Sequence, residues 1–438
     1  MQGIIPPTPD SGAYNPEWMR AFLQGAQMEV WVTLVFVLVY LGMALGRVPG
    51  LRIGRSGMAM SGAAVLLVSG AVPQGLAAAM DWPTVTLLFA LMLIGAHFAE
   101  SGAFAVVAAR LARLQVRATV LLAWVVGISG LLSAVLVNDI VVYALVPMLV
   151  VGVQARGLDS RPYLLATAMA SNAGSAASLI GNPQNLLIGE IGRLDMLDFL
   201  ALAGLPALAG LVITYVVVRW FWAAQLGEPM AGHAYLPAIM PPVLKRSMVW
   251  KTALALFAVL LAMLLLDQHR DLAALAIACA LLWGRQIRLE ALLQRVDWGL
   301  LLLIGSLFVV TSAFSAQPLA GDAVNFLLAQ GWSPDHLGQL VPIALLASNT
   351  IGNVPMVVLL VEMLPDLSAS TLSMLAVFST LAGNLLLIGS LANLIVAERA
   401  AESQVRLGFA DFARVGIPIT LGSTVVAMLW FAGVGYAW

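Results

Sequence analysis

An all-α polytopic membrane protein built from two inverted repeats is the fold that three features of this chain predict. The first is composition. Of 438 residues, 61% are hydrophobic and only 10% charged, and the mean hydropathy is +0.96. A soluble core cannot hide that much apolar surface, so most of it must face lipid or other helices. The second is a repeated phrase. Leu179-Ile180-Gly181, followed by Asn185-Leu186-Leu187-Ile188 and Glu190, returns as Leu387-Ile388-Gly389, followed by Asn393-Leu394-Ile395-Val396 and Glu398. Gly and Asn that interrupt apolar segments at matching places in two halves point to a transport site. Hydrocarbon tolerates bare backbone N–H and C=O groups only where they face protein or a polar cavity. The third is the placement of basic residues, taken up below.

Crossings of about 20 apolar residues each are expected near 28–46, 57–74, 82–101, 162–190, 197–222, 249–266, 271–285, 298–316, 369–398 and 412–436. Two further apolar stretches, 117–153 and 337–363, rise to a polar turn at mid-length and continue apolar. They are expected to be re-entrant hairpins, with tips at Ser133 to Asp139 and Ser348 to Pro355. With the N-terminus outside, all but three of the 21 Lys and Arg residues fall in cytoplasmic loops, the exceptions being Arg20, Arg193 and Arg270, as the positive-inside rule requires. No basic residue lies between Ser315 and Ser368, whereas Arg117 and Arg156 flank the first hairpin. The hairpins are therefore expected to enter from opposite faces.

Each half then holds five crossings, a hairpin and a broken helix. Five is odd, so the halves are inverted. Asp81-Trp82 and Asp297-Trp298 head the third crossing of each. The expected division is an extracytoplasmic segment 1–27, a first repeat 28–222, a cytoplasmic linker 223–248 and a second repeat 249–438. Residues 1–27 lack a signal-peptide core, so no cleavage is expected.

The broken helices carry the candidate site. The first holds Ser171, Asn172, Gly174 and Ser175, then Gly181, Asn182 and Asn185. Pro183 removes a backbone donor and disfavours helix at Asn182. Unwound carbonyls can take a small cation, and a freed helix N-terminus an anion. The second copy holds Gly383, Asn384, Gly389, Ser390 and Asn393, without a proline. At the hairpin tips Asn138 matches Asn353, and Asn138 is followed by Asp139. An ionisable group at mid-depth costs about 2.5–3.5 kcal/mol on insertion scales and is functional by default. Asp139 is the candidate coupling carboxylate, carrying H+ or binding Na+, because desolvation penalises its charged form. The structural alternative is a carboxylate that caps the returning helix. Sodium, if it is the coupling ion, is expected at Asn138, Asp139, Asn182 and Asn185. Asn353, Asn384 and Asn393 would form the pseudo-symmetric site. Tyr143 and His97 read as packing residues, and Thr311 and Ser312 as bonded to their own helix. No Arg or Lys falls at mid-membrane in this layout.

Other chemistries are excluded or unsupported. A net charge of −1 gives nucleic acid no electrostatic footprint. One cysteine, Cys279, permits neither an intrachain disulfide nor a thiolate cluster. There is no His-Glu zinc pair, no protease-like Ser/Asp pairing and no Walker motif, so neither an intramembrane enzyme nor direct ATP drive is expected, and no cofactor.

At these residues the chain resembles the ion transporter superfamily, most closely its citrate-transporter-like and arsenite-pump-like permeases. The matching pieces are Val137-Asn138-Asp139 with Pro147, the run from Ser171 to Asn185, Gly352-Asn353-Val354-Pro355, and Ala382-Gly383-Asn384 through Asn393. The resemblance implies a secondary transporter of the elevator type, commonly a homodimer, in a bacterial inner membrane. Related sodium/dicarboxylate symporters carry Ser-Asn-Thr at both tips. Here Ser348-Asn349-Thr350 sits four residues before the aligned Gly352-Asn353-Val354, so that role is not carried over. The expected cargo is a small anion coupled to H+ or Na+. An arsenite or antimonite efflux permease and a Na+/H+ antiporter are the alternatives.

Overall fold

The computed structural model describes residues 16–46, 53–72, 74–114, 116–226, 243–266, 268–283 and 288–436, without the side chains of 16–24 and 112. Residues 1–15, most of the expected linker (227–242) and the loop residues Arg47, Arg52 and Arg285 lie outside it. Among the described residues all regular structure is helical.

One order of elements runs twice. The first pass is α1 (Pro16–Leu45), α2 (Arg55–Val68), α3 (Gly75–Ala79), α4 (Trp82–Glu100), α5 (Ala103–Arg113), α6 (Ala118–Val135), α7 (Asn138–Gln154), α8 (Arg161–Ser175), α9 (Pro183–Ile191) and α10 (Met196–Phe221). The second is α11 (Arg246–Leu265), α12 (Arg270–Leu282), α13 (Leu289–Leu293), α14 (Trp298–Ser315), α15 (Pro318–Ala329), α16 (Leu337–Thr350), α17 (Asn353–Met363), α18 (Ala369–Ala382), α19 (Leu391–Glu402) and α20 (Phe409–Gly433). Matching residues start matching helices. Asp81 caps α4 by accepting from Thr84 N–H, and Asp297 caps α14 from Leu300 N–H. The indole of Trp82 donates back to Ala77 C=O and that of Trp298 to Leu293 C=O, each at 3.0 Å.

The two passes interlock rather than sit side by side. α4 packs on α12 and α14 on α2, so each third crossing beds against the other pass. α10 packs on α20. α7 lies along α19, and α17 against α9, which brings each tip to the opposite broken helix.

Among the described residues, seven helices are long and apolar enough to cross a membrane. Six lie at expected crossings; the seventh is α6, the first arm of an expected hairpin. Boundaries differ in identifiable places. α1 covers Pro16–Leu45 and so extends well into the segment expected to be polar. α2 stops at Val68 rather than near 74. Gly70, at φ +71°, ends it, with Gly70 N–H donating to Leu67 C=O and Ala71 N–H to Leu66 C=O; this is a Schellman closure. The short helices α3, α5, α13 and α15 lie between the expected crossings and hairpins. Thr311 and Ser312 do not turn back on their helix as expected. Thr311 shares a hydrogen bond with the Tyr40 hydroxyl (3.1 Å), and Ser312 accepts from Gln74 Nε2 (3.0 Å). His97 packs as expected, 3% exposed and bonded to Thr252.

Candidate functional site

Both broken helices open over matching stretches, 176–182 and 383–390, and restart in the same way. Asn182 adopts extended dihedrals before Pro183, and its side chain accepts from Asn185 N–H at 2.8 Å. Ser390 does the same in the second copy, accepting from Ala392 N–H at 3.2 Å. The asparagine in each restarted helix then folds back over its own break. Asn185 Nδ2 donates to Ser178 C=O (3.0 Å), and Asn393 Nδ2 to Gly383 and Leu386 C=O (2.8 and 3.1 Å). These amides satisfy carbonyls that the interrupted helices leave bare, which hydrocarbon would penalise.

A buried layer of amides and hydroxyls joins the two copies. Asn172 is its hub. Its Oδ1 accepts from Asn138 Nδ2 and Ser390 Oγ, while its Nδ2 donates to Asn384 and Asn393 Oδ1, all within 3.3 Å. Thr380 is a second hub. It accepts from Asn182 and Gln184 at 3.2 Å each and donates to Asn185 Oδ1 at 3.0 Å. Ser133 donates to Ser171, and Ser175 turns back to Asn172 C=O. The tips dock directly, Asn138 N–H on Gly181 C=O (2.9 Å) and Asn349 Nδ2 on Ala382 C=O (2.9 Å). Gly181 and Gly389 permit this. A Cβ on Gly181 would stand 2.4 Å from Ser175 O, and one on Gly389 2.4 Å from Asn349 Oδ1.

The expected residues therefore do not separate into two sites. Asn138, Asp139, Asn353 and Ser390, with Gln184, line one small cavity of about 20 Å³ between the tips, room for one water-sized occupant. Asn182, Asn185, Asn384 and Asn393 lie behind it, engaged with one another's helices. Ser171, Asn172, Gly174 and Ser175 form the deeper support. Gln184 and Thr380 were missed. Gln184 lies within the first motif, between Pro183 and Asn185, and a threonine in an apolar helix carries no distinguishing signal.

Asp139 occupies a particular place. It is 7% exposed, and among the described residues no hydrogen bond or ion pair holds its carboxyl. It does not cap α7, which has no side-chain cap. It bounds the small cavity on one side and, on the other, a vestibule of about 400 Å³. Tyr143, one turn along α7, lines that vestibule instead of packing, with the Arg399 guanidinium 3.5 Å from its ring centre. Asp139, Asp297, Glu398 and Glu402 face the vestibule against two guanidiniums, and both of those are engaged: Arg295 with Glu100 (2.5 Å) and Arg399 with Glu402 (2.6 Å). The approach is therefore net acidic. One cation does reach the breaks from α2: Arg55 donates to Met43 C=O at 3.2 Å and to Ile388 C=O at 3.5 Å.

Replacing Asn172 by Ala removes the hub and strands several buried amide groups, each worth about 1–3 kcal/mol when left unpaired. We expect a clearly lowered melting temperature in detergent. An Asn172→Ala protein that melts with the parent would show that the layer is not held together there.

Crossing helices, paired helix breaks and a buried polar layer open to one face define an integral, multi-pass membrane transporter. The chain belongs to the citrate transporter family, whose model matches residues 31–372. It is 29% identical to the silicon efflux transporter LSI3 of Oryza sativa subsp. japonica, over 87% of this chain and 93% of that one. It is 29% identical to the inner membrane protein YbiR of Escherichia coli (83% and 89% covered) and 22% to the putative transporter arsB of Dictyostelium discoideum (85% and 86%). The Alcanivorax borkumensis YdaH transporter shares the fold, with a TM-score of 0.57 at 14% identity over 93% of this chain and 99% of that one. So does Neisseria gonorrhoeae MtrF, with 0.51 at 12% identity over 92% and 94%. The family, and the rice and Dictyostelium relatives by their names, are transporters.

Proposed function

We propose that this protein is a secondary-active transporter that couples the passage of a small oxyacid, taken in its uncharged hydroxylated form, to a proton on Asp139. The observation that carries this reading is the position of Asp139, an unpartnered carboxyl between a small amide-lined cavity and a larger acidic vestibule. A group that faces both can change protonation on one side and be sealed from the other. The cavity wall offers amides and a hydroxyl, suited to O–H groups, and no guanidinium or ammonium. An acidic approach raises the local concentration of cations and lowers that of anions. Silicic and arsenous acids are uncharged hydroxides at neutral pH, which agrees with the names of the rice and Dictyostelium relatives.

The repeated element order and the exchanged packing of α4 and α14 support two inverted repeats, with α6–α7 and α16–α17 as re-entrant hairpins. On the charge bias, the N-terminus is outside and the vestibule opens to the cytoplasm. Hairpins and broken helices would move together past the crossing helices, in an elevator cycle, within a homodimer in a bacterial inner membrane. Two observations favour other readings. Arg55, reaching the second break, favours an anion as cargo. Asn138 Oδ1, buried without a partner beside Asp139, favours Na+ as coupling ion.

Proteoliposomes with an internal pH dye decide among these. Proton movement evoked by silicic acid or arsenite is the expected result. Movement evoked only by sulfate, phosphate, citrate or succinate would make the cargo an anion. A response to Na+ with no other solute would make the protein a cation/proton antiporter and overturn the proposal.

A further inference from the structure

A second polar cavity, of about 670 Å³, has no part in the cycle above. It opens beside the vestibule, on the face toward which α7 and α19 both run from the tips. Glu402 lines the vestibule, and Gln404, two residues on, lines this cavity. Its walls come from both halves: Gln154 at the end of α7, Ser160 and Arg161 at the start of α8, Gln225 after α10, and Gln404 and Arg406 between α19 and α20.

The donors there are numerous and partly idle. Ser160 is 4% exposed, yet its hydroxyl has no hydrogen-bond partner. That oxygen has almost no accessible surface, so it is shut off from the cavity space and Ser160 shapes the wall without touching an occupant. Arg161 is fixed in place, its Nε and Nη2 on the Asp159 carboxylate and its guanidinium 5.0 Å from the Trp222 ring centre. Asp159 also lines the cavity, but it is spent on that guanidinium and on Arg161 N–H. Arg406 has no ion pair or hydrogen bond among the described residues. Two guanidiniums and three carboxamides converging from several elements suit an anion with several oxygens. The volume lies in the range of small-molecule sites and well exceeds what a bare inorganic anion fills.

We propose that this cavity binds a phosphate ester, its oxyanion held by Arg161 and Arg406 and its organic body filling the remaining space. The ester comes either from a soluble phosphorylated metabolite or from an anionic lipid headgroup. Bound there, it ties the start of α8, whose far end carries Asn172, to the loop that follows α19. That loop is already constrained, with Gln404 at φ +61° and Val405 N–H on Ala400 C=O at 2.8 Å. Occupancy would hold the two halves together beside the vestibule and tune transport without touching cargo. The proposal does not depend on which cargo is carried.

The test uses the full-length protein in nanodiscs. In discs of neutral phosphatidylcholine, glycerol 3-phosphate is titrated against chloride at equal ionic strength, and melting temperature is followed. A second series adds phosphatidylglycerol to the discs. The variants are Arg406→Gln, an exposed position that leaves the fold intact, and Gln154→Ala, at another polar wall residue. A saturable rise with glycerol 3-phosphate, its half-effect concentration moved up at least about tenfold by Arg406→Gln, supports a soluble ester; tenfold corresponds to about 1.4 kcal/mol, one lost charge-assisted bond. A rise seen only with phosphatidylglycerol and removed by Arg406→Gln supports a headgroup. No rise beyond chloride in either series, or a rise that both variants retain in full, overturns the proposal.

Discussion

Asp139→Asn protein is expected to fold and insert, yet to lose coupled transport. The substitution keeps the shape of the side chain and removes its ability to change charge. The carboxyl has no hydrogen bond or ion pair to lose. An isolated buried charge is costly, so an amide there leaves stability unchanged or raises it. Cargo-evoked proton movement should fall on the order of 10²-fold, the scale set by loss of a positioned proton-transfer group. The residual flux should no longer respond to pH. Melting temperature and dye-reported flux, measured on one preparation, separate the two effects. Unimpaired, pH-dependent transport by Asp139→Asn would remove this residue from the mechanism. A collapse in melting temperature would make it a structural residue instead.

The second large effect is structural. Gly174→Val should sharply reduce folded protein. A Cβ at Gly174 would stand 2.2 Å from Gly130 O and 2.4 Å from Gly130 Cα. These are backbone atoms of α6, so no rotamer change relieves the clash. α6 and α8 thus meet backbone to backbone, as small residues permit between membrane helices. Overpacking commonly costs about 1–3 kcal/mol, and here it also pries Ser133 from Ser171 and displaces Asn172. Gly127, on the same helix α6, is the control. Nothing lies within 4 Å of its added Cβ, so Gly127→Ala should be tolerated or stabilising by up to about 1 kcal/mol. Size-exclusion profiles and thermal melts of both variants check the contrast. If Gly174→Val melts like the parent, the close approach of α6 and α8 is not a constraint.

Much of this was legible before any coordinates. Hydrophobic runs and their interruptions marked the crossings, because lipid imposes length and apolarity on each span directly. Asp81-Trp82 and Asp297-Trp298 marked equivalent helix starts, because a cap is local chemistry written within four residues. The Gly, Asn and Pro of the two motifs marked the breaks for the same reason. Boundaries set by short turns were less legible. The Ser69-Gly70 closure of α2 was present in the sequence but was outweighed by the apolar residues beyond it.

By itself, then, the sequence determined an all-helical membrane protein with one order of elements used twice, broken at Asn182-Pro183 and Ser390, and with a carboxyl placed at Asp139. Each of these follows from interactions within a few residues or from the demands of the bilayer. Tertiary structure alone decided how the two halves share their polar residues. Asn172 meets Asn384 and Asn393 more than two hundred residues away in the chain, and Thr380 collects Asn182, Gln184 and Asn185 from the other pass. It also decided that Tyr143 faces a vestibule and that Arg55 reaches the second break. The physical reason is that hydrogen bonds between distant segments depend on which helix faces pack together, and local periodicity carries no record of that choice.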